Sequence, residues 1–147
     1  MLTLYFSPGA CSMASHIGIE ECGTAYTEHP VLIAKGEQKS TAYAQINPRG
    51  KVPALAVDGR IITENTAILA YLGRRFPEAK LLPTDAVDEA SCIATMAWFS
   101  NVVHPSYQRY MRSERFAEGE AAQTSVKTLG RQSFWANLQE IDSLLAG

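Results

Sequence analysis

From Val87 to the end of the chain no stretch alternates apolar and polar residues as a strand does, whereas the residues before Glu64 do so repeatedly. A strand needs a period of two and a helix one of 3.6, so this change of pattern requires two parts of different character. In the first part, Leu2–Phe6 reads as a strand and "SPGACS" as a turn. From Ser12 to about Cys22 the period is helical, with Met13, Ile17 and Ile19 near one face and Gly23 as the stop. "AYTEHPVLI" fits a second strand, and "KGEQKSTAYAQIN" reads as loop with some helix. "KVPALAVDGRIIT" reads as two short strands joined at Asp58-Gly59, a hairpin signal. "ENTAILAYLGRRF" is a helix with Ile68, Leu69, Tyr71 and Leu72 on its apolar side, ended by "FPE".

The order strand-helix-strand-helix-strand-strand-helix, through about Phe76, combines a parallel crossover with an antiparallel hairpin in one α/β layer. Its expected core is Leu2, Leu4, Ile17, Val31, Ile33, Val52, Leu55, Val57, Ile61, Ile68 and Leu72. After the Pro-bearing connector "PEAKLLPTD" come two long helical stretches, about Val87–Arg115 and Glu118–Ala146. Pro105 should kink the first, and in the second Val126, Leu129, Ser133, Leu138, Ile141 and Leu145 recur at helical spacing. The expected domains are therefore an α/β domain over residues 1–80 and an all-helical one over 86–147.

The charge balance removes some functions. A formal net charge of −2 over 147 residues offers no basic surface for nucleic acid. The apolar runs are too short to span a membrane. The N-terminus lacks a basic segment ahead of an apolar one, which points to the cytoplasm. Three cysteines, an odd number, argue against a disulfide framework. His16, His29 and His104 are scattered and match no zinc spacing, so no metal is expected.

Four local features carry chemistry. Cys11 follows a strand and opens a helix, where free backbone amides lower a thiol pKa from about 8.5 toward roughly 3.5–7.5. The same window suits a small buried residue, and with Ala14 in place of a second cysteine it is no two-cysteine redox pair. "INPRGKVPAL" has turn chemistry at Asn47–Gly50 and a proline opening a strand. A trans Val52-Pro53 bond is the ordinary state, and a cis bond would present the Val52 backbone to an extended ligand. "TENTAIL" puts Thr63, Glu64 and Asn65 at a helix start, suited to the two charges of an α-amino acid head group or to simple capping. His104 precedes Pro105 within a helical stretch, and Arg109, Arg112 and Arg115 follow as a basic stripe.

Taken in this order, "LYFSPGACSMASH", "INPRGKVPAL", "TENTAILAYL" and "VVHPSYQRYMRSERF" give a chain that resembles the glutathione transferase family, in its bacterial beta-like branch. The resemblance implies a thioredoxin-like N-terminal domain, an all-helical C-terminal domain and glutathione held between them. It implies that Cys11 faces the glutathione sulfur, titrates below a free thiol and has Ser12 beside it as a hydrogen-bond donor. It further implies a cis Val52-Pro53 bond with Val52 pairing the cysteinyl backbone, and Glu64 and Asn65 holding the γ-glutamyl head group. Lys35 would contact the glycyl carboxylate and His104 would reach the thiol. Trp98, Phe99, Tyr107 and Met111 are candidates for an apolar slot.

Two departures accompany the resemblance: the sequence stops at "LLAG", ahead of the family's buried, capped helix, and Ala97 stands where relatives often have a polar residue. The first is expected to leave apolar surface on the helical half. The function implied is conjugation of the glutathione thiolate to small hydrophobic electrophiles in detoxification, by a cytoplasmic homodimer with no metal. The alternatives are glutathione-dependent thiol–disulfide or peroxide reduction through a Cys11 mixed disulfide, and a non-catalytic ligand- or protein-binding module.

Overall fold

The computed structural model describes residues 1–146, which form two compact units that divide between Ala94 and Thr95. The first unit is built on a four-stranded sheet of β1 (Leu2–Phe6), β2 (Thr27–Pro30), β3 (Ala54–Val57) and β4 (Arg60–Thr63). The strand order is β2-β1-β3-β4, with β1 and β2 parallel and the other pairs antiparallel. Helix α1 (Met13–Glu21) makes the parallel crossover, α2 is the short Thr41–Ala44 turn of helix, and α3 (Asn65–Arg75) follows the hairpin. This is a thioredoxin-like fold followed by helices.

Alternation along β1 sends Leu2, Leu4 and Phe6 to one face of the sheet, where they pack with Ile19, Cys22, Leu55, Ile68 and Leu72. Val31, Tyr43 and Val52 form a smaller cluster with Tyr5, Ala10 and Ile46. Three of the expected core residues are instead exposed: Ile17, Ile33 and Ile61. Helix α1 explains the first. Its buried residues are Ser15, Gly18 and Ile19, with Cys22 just beyond, while Met13 and Ile17 face outward. A Cβ on Gly18 would lie 2.5 Å from Leu69 Cδ2, so α1 and α3 touch where only a small residue fits. Reading the helix by its large apolar residues selects the wrong face.

Helix α4 (Ala86–Trp98) begins in the first unit and crosses into the second. The change of secondary structure falls at the 80–85 connector, but compact packing of the first unit extends past it into this helix. The expected helix over Val87–Arg115 is not continuous. It passes through a π turn (Phe99–Val103) into α5 (His104–Met111) and a 3₁₀ turn at Ser113–Arg115. Pro105 has no N–H to give to a preceding carbonyl. Just before it the His104 N–H reaches back to the Phe99 carbonyl, an i to i−5 bond, so the backbone widens by a residue instead of simply kinking.

In the second unit α6 (Glu120–Leu145) packs on α5 through Gly130 and Asn137, its two buried residues. Asn137 Nδ2 donates to Ser106 Oγ at 3.0 Å. The helical repeat expected from the sequence mixed two faces: Val126 and Ile141 are half-buried, but Leu129, Ser133, Leu138 and Leu145 are exposed. Leu129 and Trp135 on α6 are 60% and 63% exposed.

At Gly130 an added Cβ would sit 2.6 Å from Tyr110 N and 2.9 Å from the Arg109 carbonyl carbon, both backbone atoms that cannot turn aside. Gly130→Ala should therefore cost about 1–3 kcal/mol through separation of α5 and α6. Both tryptophans, Trp98 and Trp135, lie in the second unit, so tryptophan fluorescence during urea unfolding reads this loss directly. An unchanged midpoint would mean that the helices do not meet at Gly130.

Candidate functional site

Six of the seven predicted site residues belong to the first unit, and five of them, Cys11, Ser12, Val52, Glu64 and Asn65, meet near the N-terminal end of α1. The chain leaves β1 through Ser7-Pro8-Gly9-Ala10, where the Ala10 N–H donates to the Ser7 carbonyl at 3.1 Å and Gly9 takes a φ of +70°. Proline followed by a residue of positive φ is the pattern of a type II turn, and it fixes where Cys11 emerges. Ser12 locks the turn. Its buried hydroxyl accepts from the Ser7 N–H at 3.0 Å and donates to the Ser7 carbonyl at 3.2 Å. The Ser12 hydroxyl is thus engaged with Ser7, and the Ser12 backbone N–H is one of the groups that favour the Cys11 thiolate.

Cys11 sits at an exposed position with its Sγ turned inward, donating to the Val52 carbonyl at 3.7 Å. Burial pushes the thiol pKa up. The backbone N–H groups of Cys11 and Ser12 pull it down, Glu64 adds to the rise and Lys51 opposes it, but the net direction is upward. This reverses the expectation of a lowered pKa. A helix start supplies amides; the sequence does not show how deeply the sulfur is desolvated.

The Val52-Pro53 peptide bond is cis. The backbone before it is pinned at the Lys51 carbonyl, which accepts from Tyr43 Oη at 2.7 Å and from Asn47 Nδ2 at 2.7 Å. Asn47 is buried, and its Oδ1 accepts from the Arg49 N–H at 3.1 Å, which closes the turn. Tyr43 is buried by the same packing, and its phenol pKa is pushed up to about 12.

Glu64 occupies the position before α3 with a φ of +71°, unusual for a residue with a side chain. Such a conformation costs on the order of 1–3 kcal/mol and clusters at functional sites. Neither Thr63 nor Asn65 caps the helix; Glu64 holds the cap position without a side-chain bond. Asn65 Nδ2 instead donates to the Cys11 carbonyl at 3.0 Å, and its Oδ1 accepts from Ser15 Oγ at 2.7 Å.

Lys35 ends a 3₁₀ turn (Ile33–Lys35) and is exposed. The cation whose field reaches the sulfur is Lys51, which the sequence reading did not single out although it stands directly before Val52-Pro53. His104 belongs to the second unit, where its Nε2 pairs with the Gln108 side-chain amide at 3.2 Å. Of the apolar-slot candidates there, Phe99, Tyr107 and Met111 are exposed and Trp98 is half-buried, its ring 5.2 Å from that of Phe99. Among the described residues one group offers three metal-type ligand atoms within 4.8 Å: His16, Glu20 and Glu28. The Tyr26 hydroxyl lies among them, bonded to Glu20 and 2.8 Å from His16 Nε2.

A profile of the glutathione S-transferase N-terminal domain matches residues 1–74. The chain belongs to the glutathione S-transferase family. Glutathione S-transferase GstA of Escherichia coli O157:H7 is 34% identical over 116 residues, 77% of this chain and 58% of the relative. A maleylacetoacetate isomerase of Pseudomonas aeruginosa is 36% identical over 86 residues, 56% of this chain and 41% of that one. The crystal structure of a glutathione transferase homologue from Sulfitobacter with bound glutathione superposes with a TM-score of 0.89 at 35% identity, over 97% of this chain and 69% of that one. The chain thus spans 58% and 41% of these two curated relatives. Among the described residues no helix is long and apolar enough to cross a membrane.

The charges around the sulfur set the sign of two substitutions. Removing the Glu64 charge should lower the Cys11 pKa, and removing that of Lys51 should raise it further, each by less than about one unit. Alkylation of Cys11 by iodoacetamide, followed by peptide mass spectrometry across pH, should inflect above an ordinary thiol in the parent, lower in Glu64→Gln and higher in Lys51→Gln. Coincident curves would remove both charges from the site.

Proposed function

We propose that this chain binds glutathione through its first unit and transfers the glutathione thiolate to small hydrophobic electrophiles. The observation that carries the reading is the convergence, within one unit, of the Cys11 sulfur, the Val52 carbonyl and the Glu64 carboxylate. Glutathione has an ammonium and a carboxylate at its γ-glutamyl end, a thiol at its centre and a second carboxylate on glycine. Glu64 matches the ammonium, the Val52 backbone suits the central peptide, and Lys51 offers a cation for a carboxylate. The glutathione-bound Sulfitobacter homologue supports this ligand. For Lys35 and His104 the assignment rests on the family resemblance alone, as do the homodimer, the cytoplasmic location and a part in detoxification.

A Cys11 thiol that holds its proton is a donor rather than a nucleophile. In this reading its S–H bonds to the glutathione sulfur and favours the thiolate there. The glutathione proton leaves to solvent, the sulfur lone pair forms a thioether bond to the electrophilic carbon, and the leaving group departs with its bonding pair. The raised Cys11 pKa disfavours the alternative in which Cys11 itself attacks a disulfide, since that step needs its thiolate.

Incubation with reduced glutathione and 1-chloro-2,4-dinitrobenzene should yield the thioether and chloride. Turnover of a glutathionylated disulfide without thioether formation would favour reductase chemistry, and glutathione binding without either product would favour a binding module. Glu64→Gln should raise the glutathione Kd about tenfold, the loss of one charge-assisted contact. Isothermal titration reads it, and an unchanged Kd would reduce Glu64 to a strained helix start.

A further inference from the structure

We propose that Ser15 and Asn65 are positioning residues for Cys11: the Ser15 hydroxyl orients the Asn65 side-chain amide, and that amide holds the Cys11 carbonyl. Asn65 then serves the thiol, and its side chain is not a ligand of the γ-glutamyl head group. The proposal rests on the reading of Cys11 as the sulfur-facing residue.

The two ends of an asparagine amide are not equivalent. Only its NH₂ can face a carbonyl oxygen; turned the other way, two oxygens would oppose each other. The Cys11 carbonyl, which can only accept, sets that direction, and the fully buried Ser15 holds it by donating its hydroxyl to Asn65 Oδ1 at 2.7 Å. With Oδ1 accepting that proton, Nδ2 is left to donate to Cys11 O at 3.0 Å. Both side-chain bonds of Asn65 therefore run from the start of α3 to the start of α1.

The close contact of the two helices makes this reach possible. Ser15 and Gly18 lie three residues apart on the buried face of α1, and at Gly18 an added Cβ would be only 2.5 Å from Leu69 Cδ2. Small residues at both positions let the first residue of α3 come up to Cys11.

What is gained at the sulfur follows from peptide planarity. The Cys11 carbonyl and the Ser12 N–H belong to one rigid peptide unit, so fixing the oxygen fixes the direction of the N–H. That N–H is one of the two backbone donors facing the Cys11 sulfur. The Ala14 N–H also reaches the Cys11 oxygen, but at 3.3 Å. The shorter Asn65 bond comes from outside the turn and resists rotation of the peptide plane.

The test is the pH dependence of Cys11 alkylation by iodoacetamide, read by peptide mass spectrometry on the full chain without glutathione. In Ser15→Ala and in Asn65→Ala the Ser12 N–H loses its aim, the thiolate loses a donor, and the inflection should move up. A shift of about half a unit corresponds to roughly threefold slower alkylation on the low-pH limb. Ser15 touches no ligand in this arrangement, so Ser15→Ala should leave the glutathione Kd within about twofold, by titration. Circular dichroism melts identify a variant that fails to fold, in which case the other decides. An inflection in either folded variant that coincides with the parent, or lies below it, overturns the proposal. So does a Kd that rises in Asn65→Ala while the inflection stays fixed, which would make Asn65 a ligand. If the parent binds no glutathione, the functional reading fails while the alkylation curves still decide this one.

Discussion

The Cys11 carbonyl oxygen receives one hydrogen bond from its own turn, the Ala14 N–H at 3.3 Å, and one from another helix, Asn65 Nδ2 at 3.0 Å. The geometry of the site depends on this junction. One residue on, the Ser12 hydroxyl ties the same loop to both backbone groups of Ser7. The loop is thus held at its root by Ser12 and at its tip by Asn65, and the sulfur between them has little freedom. A loop carrying a reactive group is ordinarily among the mobile parts of a domain. Here side-chain bonds to its backbone stand in for a regular ladder, and the bonded groups Ser7, Ser12 and Ser15 are buried from competing water.

A thiol so placed is subject to two opposed effects. Backbone amides favour the anion, and desolvation favours the neutral thiol. Desolvation is the larger at Cys11, with the Glu64 carboxylate on the same side. Glu64 is suited to an ammonium, so a ligand that brings one would cancel part of the repulsion felt by any anion at the sulfur position. The binding of the head group and the ionisation state at the sulfur are therefore coupled through space, without motion of the chain.

Much of the first unit was legible in the sequence because its signals are strong and local. The alternation of Leu2, Leu4 and Phe6 gave β1, and Asp58-Gly59 gave the β3–β4 hairpin, with Val57 paired to Arg60 across it. The motif residues Cys11, Val52, Glu64 and Asn65 also fall together in space. The misses share a cause: they depend on residues whose effect is to let something else come close. Ser15 and Gly18 on α1, and Gly130 and Asn137 on α6, mark the buried faces, yet their small size or polarity hides them from a count of large apolar residues. The π turn before Pro105 was out of reach because proline forbids one hydrogen bond without dictating which bond replaces it. The thiol pKa was missed because burial is a property of the packed loop.

Glu64 shows how a strained residue is kept in place. Its φ of +71° would relax in an isolated peptide. Before it, Thr63 is paired with Ala54 in the β3–β4 ladder; after it, the Glu64 carbonyl accepts the Ile68 N–H at 3.0 Å and so begins α3. Ile68 and Leu72 are fully buried against the sheet, which fixes the direction of the helix. Strand and helix are each anchored independently, and the single residue between them must take whatever dihedrals join the two. That same junction sets Asn65 at the head of α3, within reach of Cys11. The strain at Glu64 and the strut at Asn65 are then two consequences of one constraint: α3 must leave the hairpin abruptly enough to start beside the thiol loop.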